Sequence, residues 1–251
     1  MAEVIDTFKR VEDKYILTPD QAEEFTERIQ QHVHKDTYFR YTVHSLYYDS
    51  KECDLMIRTL MKPDYKLKVR LRCYVEPDGD TPVFVETKKK FGDIVYKRRI
   101  SLTRDEAHAY LENGVMHHVK NNTADEIDYL MKYYDLARKV IIFYDRECWS
   151  ANKEQDVRIT FDRNIRYRIH EVDLQERGDE THLGDDKVIL EVKAMDRYPL
   201  WLVKILSDMK LYRGSFSKYG SIYRENFNDL CWLPQASYGY SPSHARPQET
   251  Y

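Results

Sequence analysis

A chain of 251 residues, 42% hydrophobic and 33% charged, has the make-up of a folded globular protein and excludes a disordered, collagenous or membrane-embedded one. Its 40 Lys and Arg against 43 Asp and Glu leave a formal net charge of -3, which excludes a broad basic surface for nucleic acid. Cys53, Cys73, Cys148 and Cys231 show no zinc-type spacing, the N-terminus is charged almost at once, and no stretch reaches the ~18 apolar residues of a spanning helix. A cytoplasmic protein without direct membrane insertion is expected, with any membrane contact made through a partner protein.

Phe8 to Leu17 alternates like a strand. Thr18-Pro19-Asp20-Gln21 then opens a helix that runs to about His32, with Thr18 as cap, Pro19 at the first helical position and Gln21 closing a capping box. Thr42 to Asp49 is a strand by its β-branched and aromatic residues, as is Lys66 to Tyr74, bounded by the turn-like Glu76 to Asp80. Thr81 to Lys88 and Asp93 to Leu102 form a hairpin around Phe91-Gly92. Thr103 and Glu106 repeat the capping box, for a short helix carrying Ala107, Tyr110 and Leu111 to a stop at Asn113-Gly114. A further helix spans Asp125 to Leu136, and strands resume at Arg138 to Trp149 and Arg158 to Phe161. Glu171 to Asp186 holds seven acids and one base and reads as a solvated loop or irregular insertion. Val188 to Ala194 is one more strand. Pro199 starts a helix with Leu200, Val203, Ile205 and Leu206, and Ser217 to Phe227 adds another. The whole reads as a single domain over 1–231 with a mobile tail over 232–251. Tyr133, Tyr134, Trp149, Trp201 and Trp232 are read as packing residues.

Side chains at i, i+2 and i+4 of a strand share a face, and this rule organises the charges. Lys66, Lys68, Arg70 and Arg72 stand on one face, opposite Leu67, Val69, Leu71 and Cys73. Phe84, Glu86 and Lys88 lie together, as do Lys97 and Arg99, Tyr144 and Arg146, Arg158 with Thr160 and Asp162, and Glu191 with Lys193. Lys89 points the other way by parity. From Lys62 to Arg104 there are twelve bases and six acids, a local +6 that leaves -9 for the rest. On one strand such a row is the wet face of an ordinary antiparallel sheet. Repeated on five or six strands it sets like charges side by side, which destabilises an open sheet. A closed barrel with charged faces inward around a polyanion resolves the conflict, so the expectation is an α+β barrel with helices outside and a phosphate-rich ligand within.

Glu12-Asp13-Lys14, Glu86-Thr87-Lys88 and Glu191-Val192-Lys193 repeat Glu-x-Lys in strands, with carboxylate and ammonium on one face about 7 Å apart. One such pair alone is a surface ion pair of little worth. Three beside strand cations fit a site that needs hard oxygen ligands for Mg2+ or Mn2+ and cations for phosphate oxygens.

The segments E-D-K-Y-I-L, L-Y-Y-D-S, K-V-R-L-R-C-Y, V-F-V-E-T-K-K-K, Y-K-R-R-I, F-Y-D-R-E-C-W, V-R-I-T-F-D, I-L-E-V-K, P-L-W and F-S-K-Y resemble, in order, the polyphosphate polymerase domain of the vacuolar transporter chaperone (VTC) family. The resemblance covers roughly Phe8 to Phe227 and implies the CYTH-like triphosphate tunnel metalloenzyme fold, an antiparallel eight-stranded closed barrel. It implies phosphate-binding roles for Lys14, Arg70, Arg72, Lys88, Lys97, Arg146, Arg158, Lys193 and Lys218, of which Arg70, Arg72, Lys193 and Lys218 act in catalysis. Glu191 would be the metal carboxylate and Glu86 a second acid; Arg99 is a secondary candidate, in the tunnel or on the exterior. The wider superfamily opens with E-x-E-x-K, and here Arg10 replaces the first acid, which tilts the reading toward the polymerase branch. The phosphate-sensing helical domain and membrane span of eukaryotic members are lacking, which points to a single-domain, bacterial-type member.

The implied activity is metal-dependent phosphotransfer from ATP to a growing inorganic polyphosphate chain, with Mg2+ or Mn2+ as cofactor. The acceptor phosphate is already a nucleophile, so no Ser, Cys or His base is required, and the nine histidines form no metal-ligand motif. The alternatives are a tunnel triphosphatase acting on nucleoside triphosphate or tripolyphosphate, and a noncatalytic polyphosphate-binding module.

Overall fold

Short alternating runs separated by caps and turns become nine strands and seven helices in the computed structural model, which describes residues 10–61, 64–74, 81–92, 94–113, 121–152, 157–174, 178–184 and 186–231. In chain order these are β1 (Arg10–Leu17), α1 (Pro19–Ile29), β2 (Val33–Asp49), α2 (Asp54–Leu60), β3 (Tyr65–Cys73), β4 (Pro82–Phe91), β5 (Ile94–Thr103), α3 (Arg104–Asn113), α4 (Asn122–Tyr133), β6 (Ala137–Ala151), β7 (Val157–Arg168), β8 (Thr181–His182), β9 (Val188–Met195), α5 (Leu200–Asp208), α6 (Lys218–Glu225) and α7 (Phe227–Leu230). No helix among the described residues is long and apolar enough to cross a membrane. The expected turn over 76–80, Gly114, Trp232 and the tail lie outside the described residues.

The strands hydrogen-bond in the order β1-β9-β7-β6-β2-β3-β4-β5, with β8 on β7. The α+β, antiparallel expectation therefore holds, but the closed eight-stranded barrel does not: the sheet has nine strands and its hydrogen-bonded path ends at β1 and β5. One physical reason lies at β1, whose free edge is taken by a chain segment. The Gly214 amide donates to the Lys14 carbonyl at 2.8 Å, in an isolated bridge.

The chain divides into two compact units, Met1–His44 with Ile142–Arg166 and Glu176–Ser217, and Ser45–Ile141 with Tyr167–Gln175 and Lys218–Tyr251. In the first, the apolar faces of β1, β7 and β9 pack on α1 and α5 through Tyr15, Leu17, Phe25, Ile29, Phe161, Leu190 and Leu202. Thr18 caps α1 with both bonds of the capping box, as its sequence predicts. In the second, Leu67, Val69, Leu71, Val83 and Val85 form the buried face of β3 and β4, and Ile100 and Leu102 continue it on β5. Helices α3 and α4 pack against β5. Every residue assigned to the apolar side of β3 by alternation is buried.

Several elements differ from the local reading. β2 begins at Val33 rather than Thr42, and β7 continues to Arg168. The acidic stretch is not simply solvated, since it buries Leu174 and Leu183 and contains β8. Trp149 is buried and Trp201 stacks on His32, while Tyr133 is 65% exposed and packs its ring against Tyr129 and Tyr134 at the surface. Helix α2 had no visible start signal, because its first residue follows Cys53, which has φ 62° and gives no side-chain cap. Asp49 supplies the cap from four residues further back. Its Oδ1 accepts from the Leu55 and Ser50 amides at 2.9 Å each, and its Oδ2 from the Met56 amide at 3.0 Å and the Tyr219 hydroxyl at 3.2 Å. Burial pushes the Asp49 carboxyl up to about 6 even against these donors.

Replacing Asp49 by Ala strands three amides and a phenol, so Asp49→Ala is expected to lower stability by about 2 kcal/mol in chemical denaturation. An unchanged midpoint would show that α2 does not depend on this cap.

Candidate functional site

Strand parity delivers two clusters of charge, one in each unit. In the second unit, Arg70, Glu86 and Arg99 stand abreast in register across β3, β4 and β5, beside a parallel row of Lys68, Lys88 and Lys97. Three lysines side by side repel one another. Glu86 is the counterweight, 1% exposed and clamped by cations. Its Oε2 accepts from Arg70 Nε at 2.8 Å and Nη2 at 2.7 Å, with Arg72 Nη1 at 3.9 Å, while Lys97 Nζ lies 2.8 Å from Oε1. Burial alone would raise the Glu86 carboxyl; Arg70, Arg72 and Lys97 hold it down at about 2. Arg72 also donates to Ser45 Oγ at 3.2 Å, and Arg70 to the Tyr47 hydroxyl at 3.2 Å. Arg99 lies over the Phe84 ring at 4.5 Å, on the same face as Glu86, and is exposed. Lys89 faces away, as parity requires, and pairs with Glu126 of α4 at 3.0 Å.

In the first unit, Lys14 of β1 and Thr160 of β7 flank Glu191 of β9 in register, and Glu12 and Arg158 flank Lys193. Lys193 pairs with Glu191 and lies 3.9 Å from Glu12. Burial pushes the Glu191 carboxyl up, but Lys193, Lys14 and Arg146 bring it to about 2, so it is a carboxylate at any physiological pH. Arg146 grips Asp162 bidentately, Nε to Oδ1 at 2.6 Å and Nη2 to Oδ2 at 2.9 Å. Arg158 reaches Asp36 at 3.1 Å, and Lys14 donates to the Phe216 carbonyl at 3.2 Å. Thr160 is 4% exposed, and its hydroxyl has no partner among the described residues.

The predicted residues thus fall into two sets: Lys14, Arg146, Arg158, Glu191 and Lys193 in the first unit, and Arg70, Arg72, Glu86, Lys88 and Lys97 in the second. Lys218 belongs to the second unit and opens α6. Sequence reasoning assigned no role to Tyr47, Ser45, Asp36 or Asp162. Asp162 had a signal in its alternation with Arg158; the others gain meaning only from partners distant in the chain.

No group of three His, Cys, Asp or Glu side chains among the described residues forms a ready metal cage. Magnesium needs only one or two carboxylates when phosphates complete its shell. Glu191, Glu12 and the unpartnered Thr160 hydroxyl are hard oxygen donors of that kind, so the first unit fits a divalent ion that arrives with phosphate. Glu86 has both oxygens engaged by cations, which makes it an internal counter-ion in this state.

The fold recurs among solved structures. It is shared with a candidate adenylate cyclase from Bacillus halodurans, at TM-score 0.52 and 11% identity over 83% of this chain and 93% of that one. A candidate adenylate cyclase from Vibrio parahaemolyticus is also similar, at TM-score 0.46 and 14% identity over 86% of this chain and 97% of that one. So is a protein from Pyrococcus horikoshii OT3, at TM-score 0.45 and 14% identity over 87% and 99%. No curated protein matches the chain. The VTC domain family matches residues 9–225, and the chain belongs to that family.

Glu86→Gln removes the charge that holds Arg70, Arg72 and Lys97 together and is expected to cost about 3 kcal/mol at neutral pH. Because the folded carboxyl is depressed from its ordinary 4.5 to about 2, its stabilisation is full above 4.5 and fades as pH falls through 2. The gap between parent and variant should therefore close on acidification, and tripolyphosphate should restore the variant at neutral pH. Urea titrations at several pH values, with and without tripolyphosphate, check both; a pH-independent gap would contradict the assignment.

Proposed function

We propose that this protein is a metal-dependent polyphosphate polymerase, moving the terminal phosphoryl group of ATP onto an inorganic polyphosphate chain. The observation that carries this reading is Glu191: a carboxylate kept ionised among Lys14, Lys193 and Arg146, beside an unpartnered hydroxyl. Passive capture of a polyanion has no use for such a group, whereas phosphoryl transfer does. A divalent ion held by Glu191, with Glu12 and Thr160 near it, supplies neutralisation of donor phosphate charge.

The remaining work belongs to the cations. Phosphoryl transfer asks the protein for alignment and charge stabilisation rather than covalent chemistry. Arg70, Arg72, Arg146 and Arg158 suit bidentate contact with phosphate oxygens, and Lys14, Lys88, Lys97, Lys193 and Lys218 act as point charges. In the free protein Glu86, Asp162 and Asp36 stand where phosphate oxygens would compete for Arg70, Arg146 and Arg158. Glu86 is assigned the holding of these cations in place, and the metal is assigned to Glu191. We place the protein in the cytoplasm, its four cysteines being free thiols.

Incubation of the purified chain with ATP and Mn2+ or Mg2+, with polymer resolved from free phosphate, tests the reaction. Polymer supports synthesis; free phosphate alone would assign a triphosphatase, and tight binding without turnover a binding module. Glu191→Gln should abolish metal-dependent turnover with the fold retained; undiminished activity would sink the metal assignment.

Arg70→Ala and Arg72→Ala should each weaken polyphosphate binding and lower the slope of log affinity against log salt by about one unit. Binding equal to the parent would mean that these side chains do not meet phosphate.

A further inference from the structure

We propose that Tyr47 is a phosphate-contacting residue of the second unit, whose hydroxyl exchanges the hydrogen bond it accepts from Arg70 for one it donates to a phosphate oxygen. This rests on the reading that the Arg70 and Arg72 face binds phosphate. Tyr47 lies on β2 and is 9% exposed. Arg70 Nη1 donates to its oxygen at 3.2 Å, and the guanidinium carbon lies 5.9 Å from its ring centre. Its other flank rests on Tyr219 of α6, ring centres 4.9 Å apart. The Tyr219 hydroxyl is committed to Asp49 Oδ2 at 3.2 Å and does not serve Tyr47. Among the described residues the Tyr47 oxygen is thus an acceptor, and its own proton has no acceptor.

The charged groups that face the phenol are Arg70, Lys68 and Arg72 of β3, while Glu86 of β4 bears on it through Arg70. Burial pushes the phenol up, but these cations and the Arg70 hydrogen bond outweigh it and bring Tyr47 down to about 7. Near neutrality a share of the molecules therefore holds Tyr47 as phenolate, acting with Glu86 as counter-charge for Arg70. A bound phosphate neutralises the same cations and removes the reason for the depression. The phenolate then takes one proton from solvent, and the O–H so formed has an acceptor at last in the phosphate oxygen. Binding consumes a proton, so it is favoured on the acid side and weakens as pH rises through about 7.

Tripolyphosphate binding to the parent and to Tyr47→Phe, on either side of neutrality, tests this. In the parent, affinity should fall with rising pH, and the near-ultraviolet absorbance of tyrosinate should drop when tripolyphosphate is added. Tyr47→Phe keeps the ring on Tyr219 but should bind about tenfold more weakly on the acid side and lose the absorbance change. A merely structural tyrosine would move neither the absorbance nor the pH profile. Unchanged affinity with the absorbance change retained overturns the proposal. Arg70→Ala separates the two levels: if it binds like the parent, the phosphate reading itself fails. If it binds weakly while Tyr47→Phe behaves like the parent, Tyr47 alone is wrongly assigned. The absorbance measurement on the parent decides the matter even where a variant folds poorly.

Discussion

The structure depends on one constraint: cations placed in register on one face of a sheet need negative charge between them. β-pairing sets the Cβ atoms of directly opposed residues about 5 Å apart, so Lys68, Lys88 and Lys97 cannot stand alone. A buried carboxylate in the next row, Glu86 between Arg70 and Arg99, makes the arrangement stable in the absence of ligand. The first unit repeats the solution with Glu191 beside Lys193 and Lys14, and with Asp162 on Arg146. Such pairs add little net stability over apolar packing, since desolvation offsets most of the attraction. Their presence is better explained by what the cations can hold when a stronger anion arrives.

The rest of the fold serves this face. Alternation that turns charges one way turns Leu67, Val69 and Leu71, or Leu190 and Val192, the other way, and these apolar sides collect the helices. Helix α1 and helix α5 cover the first unit's apolar face, and α3 and α4 pack on β5 in the second. Rigid packing beneath the strands fixes the rows above them, so long side chains such as Arg70 and Arg146 reach fixed partners rather than solvent. The half-buried pair formed by Lys89 and Glu126 shows the same parity from the opposite face of the sheet.

What could be read in advance was what two-residue periodicity encodes. The faces of β3, β4 and β9, the Thr18 capping box and the Glu-x-Lys triplets follow from neighbours in sequence, and all appear as local geometry requires. Helix α2 escaped because its cap, Asp49, sits outside the usual capping position and reaches its amides over a left-handed Cys53. Tyr47 escaped because its hydroxyl matters only through Arg70, 23 residues away in the chain, and Asp36 because its partner Arg158 is remote in sequence. The closed barrel was inferred from charge repulsion and from the family resemblance. Buried Glu86 and Glu191 relieve that repulsion without closure, and Gly214 occupies the edge of β1.

The two buried glutamates differ in a way that the triplet pattern conceals. Glu86 meets Arg70, Arg72 and Lys97 through both its oxygens, and its neighbours Tyr47 and Ser45 each take an arginine donor as well. Both carboxylate oxygens lie within ion-pair distance of cations, and Oε1, beside Lys97, has no further hydrogen-bond partner among the described residues. Glu191 has Lys193 on one oxygen and, in register beside it, a buried Thr160 hydroxyl without a partner. A buried hydroxyl left unsatisfied costs about 1–3 kcal/mol, a penalty that is retained where a ligand later removes it. The same sequence motif therefore builds a carboxylate enclosed by three cations in one unit and, in the other, a carboxylate with an unpartnered hydroxyl in register beside it. That difference is the ground for proposing metal chemistry at Glu191 and charge organisation at Glu86.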